Sequence, residues 1–177
     1  MTERAPQTLK PGPELTMDAA LSDVLLKVGQ LNYTWTNTES LLIHLIAGLA
    51  RTDKNTAVVI FLTLNTTRAR VDLVERLAKI ERTPTDQRSA ILDLTKRLTR
   101  ESALRNKYNH CIYSFDPSNG QMQTIMMRIQ DRKNDIRMGK TEPVDAAETA
   151  SIEQSIARLQ ELNHEVWAFI SKHGYPA

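Results

Sequence analysis

Apolar residues recur every three or four positions over most of this chain, which is the spacing of one face of an α-helix. The first stripe begins near Asp18, where Asp18 or Thr16 is the predicted cap, and continues to Ala50, so we predict one helix of about eight turns. Its only polar member is Thr38. The stripe consists of Leu21, Val24, Val28, Leu31, Trp35, Thr38, Leu42, Leu45 and Leu49.

A second periodic segment runs from Thr56 to Arg82. Its β-branched run Val58–Leu62 is also typical of a strand, but Leu64, Val71, Val74, Leu77 and Ile80 keep helical spacing, so we predict a helix throughout. Pro84 should stop it, because proline lacks an N–H group and restricts the residue before it. Thr85 or Asp86 should cap a third helix that carries Ile91, Leu94, Leu98 and Leu104.

The pattern changes after this third helix. A turn signal at Asp116–Gly120 separates Cys111–Phe115 from Gln121–Ile129, which favours a β-hairpin, and Ile136–Met138 fits a third short strand. An irregular loop fits this stretch equally well. From Pro143 the spacing is helical again, with Ile152, Ile156, Leu159, Leu162, Val166 and Phe169 on one face.

The predicted fold is mainly α, an antiparallel bundle of four to five helices with a small β-hairpin insertion (approximately 111–140) before the last helix. Residues 1–14 contain three prolines and few apolar residues, so we expect a flexible tail, followed by a single helical domain over residues 15–177. No apolar run is long enough to span a bilayer, no secretory signal is visible, and Cys111 is the only cysteine. We therefore expect a cytoplasmic protein that does not contact a membrane.

The charge is unevenly distributed. The chain has a formal net charge of +2, but residues 96–140 carry ten Lys/Arg against four Asp/Glu, and residues 141–177 carry two against six. A local basic stretch indicates an anionic partner, most often nucleic acid. A solvated face that packs on the acidic last helix explains the same pattern.

The basic stretch contains the segment Arg105-Asn106-Lys107-Tyr108-Asn109-His110. Metal-independent RNA cleavage needs groups that move protons near neutral pH, for which histidine is suited, and a cation for the phosphate, for which the arginine fork is suited. The segment therefore offers Arg105 as a candidate for the phosphate and His110 as a candidate for proton transfer. Asn106, one turn before His110, could orient the imidazole or a substrate oxygen.

Geometry leaves several arrangements open. On a straight helix Arg105 and His110 point about 140° apart. The long Arg105 side chain could reach round, a dimer axis could bring two motifs together, or the segment could open a fresh helix with free N–H groups for an anion. In a purely structural alternative, Arg105 pairs with Glu101 and His110 is half-buried at a helix end.

An Arg-Asn-x-x-x-His segment late in the third helix of such a bundle resembles the HEPN superfamily (higher eukaryotes and prokaryotes nucleotide-binding), over residues 18–172. The resemblance implies a metal-independent endoribonuclease of the toxin, phage-defence or RNA-processing kind, with Arg105 on the scissile phosphate, His110 as general acid/base and Asn106 as polar helper. The resemblance also implies that no cofactor is needed and that the protein is a homodimer with the two motifs facing each other. The expected substrate is single-stranded RNA, and in toxin systems an antitoxin is the expected partner. The superfamily also has inactive members that only bind RNA, nucleotide or protein. A non-catalytic binding module is therefore the alternative. Tyr113 lies three residues after His110, not two, which departs from the toxin branch that a nucleotidyltransferase modifies.

Other residues complete the predicted site. We expect flanking phosphates to contact Lys96, Arg97, Arg100 and Lys107. The predicted cleft includes Tyr108, Asn109, Tyr113 and Glu39. We predict no metal site, since the Glu161-x-x-His164 pattern, which resembles half of a di-iron site, has no second copy.

Overall fold

The computed structural model describes residues 19–116, 119, 121–127, 129–131 and 133–177. The predicted N-terminal tail and the predicted caps Thr16 and Asp18 lie outside this part of the chain. The helices within it are α1 (Ala19–Ser40), α2 (Leu42–Ala50), α3 (Lys54–Thr63), α4 (Thr67–Ala78), α5 (Thr85–Asn109) and α6 (Ala146–Lys172). The strands are β1 (Cys111–Phe115), β2 (Met122–Met126), β3 (Ile129–Asp131), β4 (Ile136–Met138) and β5 (Thr141–Pro143).

The first predicted helix is confirmed as the nearly continuous pair α1 and α2. The interruption is a single residue, Leu41, which keeps right-handed helical angles (φ −66°, ψ −17°) and is buried. Thr38, the polar member of the stripe, is buried with its hydroxyl donating to the Thr34 carbonyl at 2.8 Å. That bond satisfies the hydroxyl inside the core.

The prediction of one helix over 56–82 is wrong. Leu64 leaves the helical region (φ −83°, ψ 108°), and Thr66 then caps a new helix by accepting from the Ala69 N–H at 3.1 Å. The chain therefore turns between α3 and α4 while its apolar residues stay in phase. The second half also ends early, at Ala78, well before Pro84.

The predicted start of α5 is only partly right. Pro84, not Thr85 or Asp86, occupies the cap position, and it makes no side-chain cap hydrogen bond. The last helix begins at Ala146 instead of Pro143, because Pro143 belongs to β5 and Asp145 accepts from the Glu148 N–H at 2.9 Å. An aspartate in this position is a strong helix cap.

The predicted hairpin forms, and the loop alternative is wrong. β1 and β2 pair antiparallel with Cys111 opposite Met126 and Phe115 opposite Met122. β5 then pairs with the free edge of β2 to complete a three-stranded sheet. The third predicted strand, β4, does not join this sheet, since it pairs with β3 in a separate two-stranded ribbon.

One continuous core joins the helices and the sheet. α6 packs along α1 and α5, while α2 contacts α3 and α4. Trp35 and Leu31 of α1, Ile91 of α5 and Leu159 of α6 are almost fully buried, and Met122 of β2 closes the core at the sheet. The mainly helical bundle with a β insertion before the last helix is thus confirmed. Within the described residues, no helix combines the length and apolarity needed to cross a membrane.

Candidate functional site

A cleft of about 750 Å³ lies beside the C-terminal half of α5. Helix α5 supplies Thr99, Ser102, Arg105 and Asn106, and His110 follows its end. The opposite wall comes from the α3–α4 turn and from α4, including Thr67, Arg68, Arg70, Asp72 and Glu75. Glu39, from the end of α1, forms the floor together with these groups.

The three predicted motif residues all line this cleft. Helix α5 continues to Asn109, so Arg105 and Asn106 lie in its last two turns, and His110 is the first residue with non-helical angles (φ −122°, ψ 17°). The hypothesis of a fresh helix at this segment is therefore wrong, because the segment ends a helix. Arg105 and His110 face the same cleft within one chain, since His110 leaves the helical path and the cleft wraps around the end of α5.

Neutral groups hold the Arg105 guanidinium. It donates to Asn106 Oδ1 at 3.1 Å, and its Cζ lies 5.7 Å from the centre of the Trp35 ring. When the Asn109 amide turns its oxygen toward Arg105, Arg105 Nε donates to it at 2.9 Å. The structural alternative in which Arg105 pairs with Glu101 is wrong, because Glu101 accepts from Ser155 and Arg158 on the other side of α5. Among the described residues, no carboxylate lies within ion-pair distance of Arg105, so its charge is available to a ligand.

Glu39 lines the cleft as predicted, but its carboxylate is already occupied. Oε1 accepts from Thr67 Oγ1 at 2.6 Å and from Arg70 Nη1 at 3.1 Å, and Oε2 accepts from Trp35 Nε1 at 3.2 Å. Arg70 is further held by the Phe61 and Leu64 carbonyls. This network fixes the start of α4 against α1 and holds the Trp35 indole under Arg105.

The structure does not bring the four predicted phosphate contacts into the cleft. Lys107 Nζ lies 2.7 Å from both Glu142 Oε2 and Glu148 Oε2, which ties the end of α5 to β5 and α6. Burial lowers the pKa of Lys107, but the hydrogen bonds to these two carboxylates outweigh burial and leave the pKa above its ordinary value. The sequence prediction missed this pairing, because both partners lie more than thirty residues away.

The remaining basic residues lie on other faces of α5. Arg97 makes a two-pronged ion pair with Glu165, at 2.5 and 2.7 Å, and these hydrogen bonds raise its pKa. Arg100 lines a separate cavity of about 100 Å³ beside Glu101 and Arg158. Lys96 is exposed. The alternative explanation of the basic stretch, packing on the acidic last helix, therefore accounts for Arg97 and part of Lys107.

The two tyrosines predicted to lie in the cleft, Tyr108 and Tyr113, pack behind its wall instead. Tyr108 is 2% exposed and donates to Glu148 Oε2 at 2.6 Å, and Tyr113 donates to the Tyr108 carbonyl at 3.4 Å. Burial first, and then the Glu148 carboxylate, raise the pKa of the Tyr108 phenol, while burial raises that of Tyr113. Both phenols are therefore neutral donors, and their rings lie outside the cleft wall. Asn109 is exposed next to Arg105.

Several cleft residues were missed from the sequence. Thr99 and Ser102 precede the predicted Asn106 at spacings of three and four positions along α5, a polar stripe that periodicity alone could have revealed. Arg68 and Thr67 could not be found in this way, because the turn that places them was predicted to be helix. Arg68 is exposed, with Asp72 Oδ2 at 4.0 Å from its Nε.

The other histidines lie elsewhere. His44 Nδ1 is 2.7 Å from the Pro176 carbonyl oxygen, and its ring packs against Trp167. His164 is exposed on α6. Over the described ranges, no three His, Cys, Asp or Glu side chains gather as a metal site would require. Arg105, Asn106 and His110, by contrast, line one cleft together with polar neighbours.

Comparison with known proteins adds no assignment. No family model, curated protein or solved structure matches this chain. The HEPN resemblance consequently stays a prediction that depends on the motif and on the helical layout.

Proposed function

We propose that this protein is a metal-independent endoribonuclease whose site is the cleft at the end of α5. The supporting observation is the Arg105 guanidinium, which neutral amides and an indole face hold in the cleft that His110 also lines, with no carboxylate of the described residues as its ion-pair partner. A guanidinium in this state favours a phosphate, because its parallel N–H groups match two phosphate oxygens and no internal anion competes for them.

The chemistry follows from these groups. His110 accepts the proton of a ribose 2′-hydroxyl, whose oxygen then bonds to the adjacent phosphorus. The bond from phosphorus to the 5′-oxygen breaks, and that oxygen takes up a proton. Arg105 stabilises the charge on the phosphorane, and Asn106 orients a substrate oxygen or the imidazole. The products are a 2′,3′-cyclic phosphate end and a 5′-hydroxyl end.

One imidazole supplies one of the two proton transfers at a time. We propose that the motif of another copy makes the second proton transfer, in a homodimer whose two motifs face each other across the interface. A sedimentation measurement checks this part, and we expect a dimer in solution. Adding an excess of His110→Ala chains should lower the activity per wild-type chain, because each mixed dimer contains only one of the two imidazoles. A strictly monomeric active enzyme would contradict it.

The charges around the cleft limit how RNA binds. Three arginines and three carboxylates line it, and Arg70 is paired with Glu39. Arg105 is left for phosphates, as is Arg68, whose 91% exposed side chain makes a long 4.0 Å contact with Asp72, so only a short stretch of backbone is held. We therefore expect modest affinity with a shallow dependence on salt.

The deciding experiment uses single-stranded RNA in excess EDTA with purified wild-type, His110→Ala and His164→Ala proteins. His164 is exposed on α6, so its variant is a matched control for removing a histidine. We expect wild type and His164→Ala to leave 2′,3′-cyclic phosphate ends, and His110→Ala to be slower by about 10²–10⁴-fold. DNA of the same sequence should stay intact. Cleavage by all three proteins, or by none, would overturn the proposal.

A non-catalytic RNA-binding module is the second candidate, and the presence of a single histidine in each cleft favours it. In that case RNA should bind without turnover. Arg105→Ala should weaken the binding, whereas His110→Ala should leave it nearly unchanged.

A further inference from the structure

Another arginine-lined cavity lies at the opposite end of α5. It has a volume of about 310 Å³ and lies between the end of α2, the segment before α5 and the C-terminal residues of the chain. Helix α5 has 25 residues, so its two ends are about 37 Å apart. This cavity is therefore separate from the cleft that contains Arg105 and His110.

The cavity wall is cationic. Arg51, Arg82 and His173 line it, and no carboxylate does. Arg82 Nη2 donates to the Leu49 carbonyl at 2.8 Å, which fixes the guanidinium and leaves its other N–H groups available. In the described part of the chain, neither arginine has an acidic side chain within ion-pair distance. A concave surface with two such guanidinium groups is suited to an anion that offers several oxygens, above all a phosphate.

The backbone at Arg51 is the second observation. Arg51 has φ 56° and ψ 46°, the left-handed conformation that glycine usually supplies after a helix, and it is the one non-glycine residue with positive φ among the described residues. An arginine here costs backbone strain that glycine would avoid. An arginine side chain thus lines the cavity from a backbone position where glycine would be less strained.

The walls of the cavity are held in place before any ligand arrives. The Tyr175 ring lies directly on Gly48, and its hydroxyl donates to Gln87 Oε1 at 3.3 Å. The His173 ring packs on Phe169, with ring centres 4.4 Å apart. A site that is already ordered loses little entropy when it binds.

We propose that this cavity binds a phosphomonoester, with Arg51 and Arg82 on the phosphate oxygens and the rings of His173 and Tyr175 beside the attached group. Its volume is at the small end for ligand sites, which fits one nucleotide unit. The unit is a free mononucleotide or the 5′-phosphorylated end of an RNA. This proposal does not depend on the ribonuclease activity.

Calorimetric titration of the full chain tests it with adenosine monophosphate, adenosine and inorganic phosphate. We expect adenosine monophosphate and phosphate to bind and adenosine not to bind. A pair of short oligonucleotides, with and without a 5′-phosphate, distinguishes an RNA end from a free mononucleotide as the ligand. Both carry 2′-O-methyl groups, so they cannot be cleaved through a 2′-hydroxyl. An RNA end is identified when the phosphorylated oligonucleotide binds more tightly than both its unphosphorylated counterpart and the mononucleotide. A free nucleotide is identified when the mononucleotide binds more tightly and the 5′-phosphate does not improve binding of the oligonucleotide.

Arg51→Gly is the decisive variant, since it removes the arginine side chain and also relieves the backbone strain of the positive φ. We expect its thermal midpoint to equal or exceed that of wild type, while its affinity for adenosine monophosphate falls by about tenfold or more. Arg76→Gln, an exposed arginine on α4 outside the cavity, is the charge-matched control and should bind normally. Absence of binding to wild type, or undiminished binding to Arg51→Gly, would overturn the proposal.

Discussion

The Lys107 ammonium lies 2.7 Å from Glu142 Oε2 and so joins the last turn of α5 to strand β5. Lys140 approaches the other oxygen of the same carboxylate at 2.5 Å. The hydrogen bonds from Lys107 and then Lys140 lower the pKa of Glu142 to about 2, from 4.5. Because the folded pKa lies below the unfolded one, the stabilisation is complete above pH 4.5 and is lost as the pH falls toward about 2.

Replacing Glu142 with glutamine should therefore destabilise the protein in a pH-dependent way. We expect a loss of about 1 kcal/mol at neutral pH, since the pair is only partly buried, and a difference from wild type that shrinks as the pH falls through this window. Denaturant unfolding at several pH values measures it. Glu153→Gln, whose 58% exposed side chain pairs with Lys27, is the control and should change little. A difference that stays constant with pH would contradict the assignment of the pair.

Glu101 should contribute more to stability, because it is 5% exposed. Burial raises the pKa of its carboxyl, but the hydrogen bonds from Arg158 and Ser155 outweigh burial and leave the pKa lowered. Glu101→Ala leaves the buried Ser155 hydroxyl without its acceptor and Arg158 without its counterion. We expect a loss of about 2–3 kcal/mol, which corresponds to roughly 5–10 °C in thermal midpoint. Glu161→Ala, exposed on α6, should stay near wild type.

The fold was predictable where the hydrophobic pattern and the turn chemistry agree. The stripe of Leu31, Trp35 and Leu45 is buried as its spacing indicates, and the hairpin forms around the Asp116–Gly120 turn signal. The break between α3 and α4 was not predictable from spacing, because Leu64 and Val71 stay in phase across it. The actual signal was Thr66, a residue type favoured at helix caps.

The site was predictable only as far as one helix extends. Arg105, Asn106 and His110 lie together because they are close in sequence. Whether a nearby cation is free depends on partners far along the chain, and Lys107, with the same basic character as Arg105, is bound by Glu148 across 41 positions. Glu39 was placed in the cleft by its polarity alone, whereas its three hydrogen-bond partners became visible only in the folded chain.

The shape of the Arg105 side chain should matter as much as its charge. Arg105→Lys keeps the positive charge but loses the planar fork, so we expect the rate of RNA cleavage to fall by about 10²–10³-fold with little change in stability. Arg68→Lys is the matched control, because Arg68 lines the same cleft with a side chain 91% exposed, and its rate should fall by less than about tenfold. A wild-type rate in Arg105→Lys would show that the cleft senses only net charge, and equal losses in the two variants would show that Arg105 has no special role.

Two glycines should respond in opposite directions to replacement by alanine. A β-carbon on Gly48 would lie 2.2 Å from Cγ of the Tyr175 ring, whereas one on Gly29, in the exposed middle of α1, would meet no atom within 4 Å. Gly48→Ala must displace the C-terminal segment, so we expect a loss of about 1–3 kcal/mol. Gly29→Ala only restricts the unfolded chain and favours helix, so we expect a gain of about 0.5–1 kcal/mol. Denaturant unfolding of both variants measures the contrast. A Gly48→Ala protein as stable as wild type would mean that Tyr175 does not pack on α2, and it would also remove one wall of the proposed phosphate cavity.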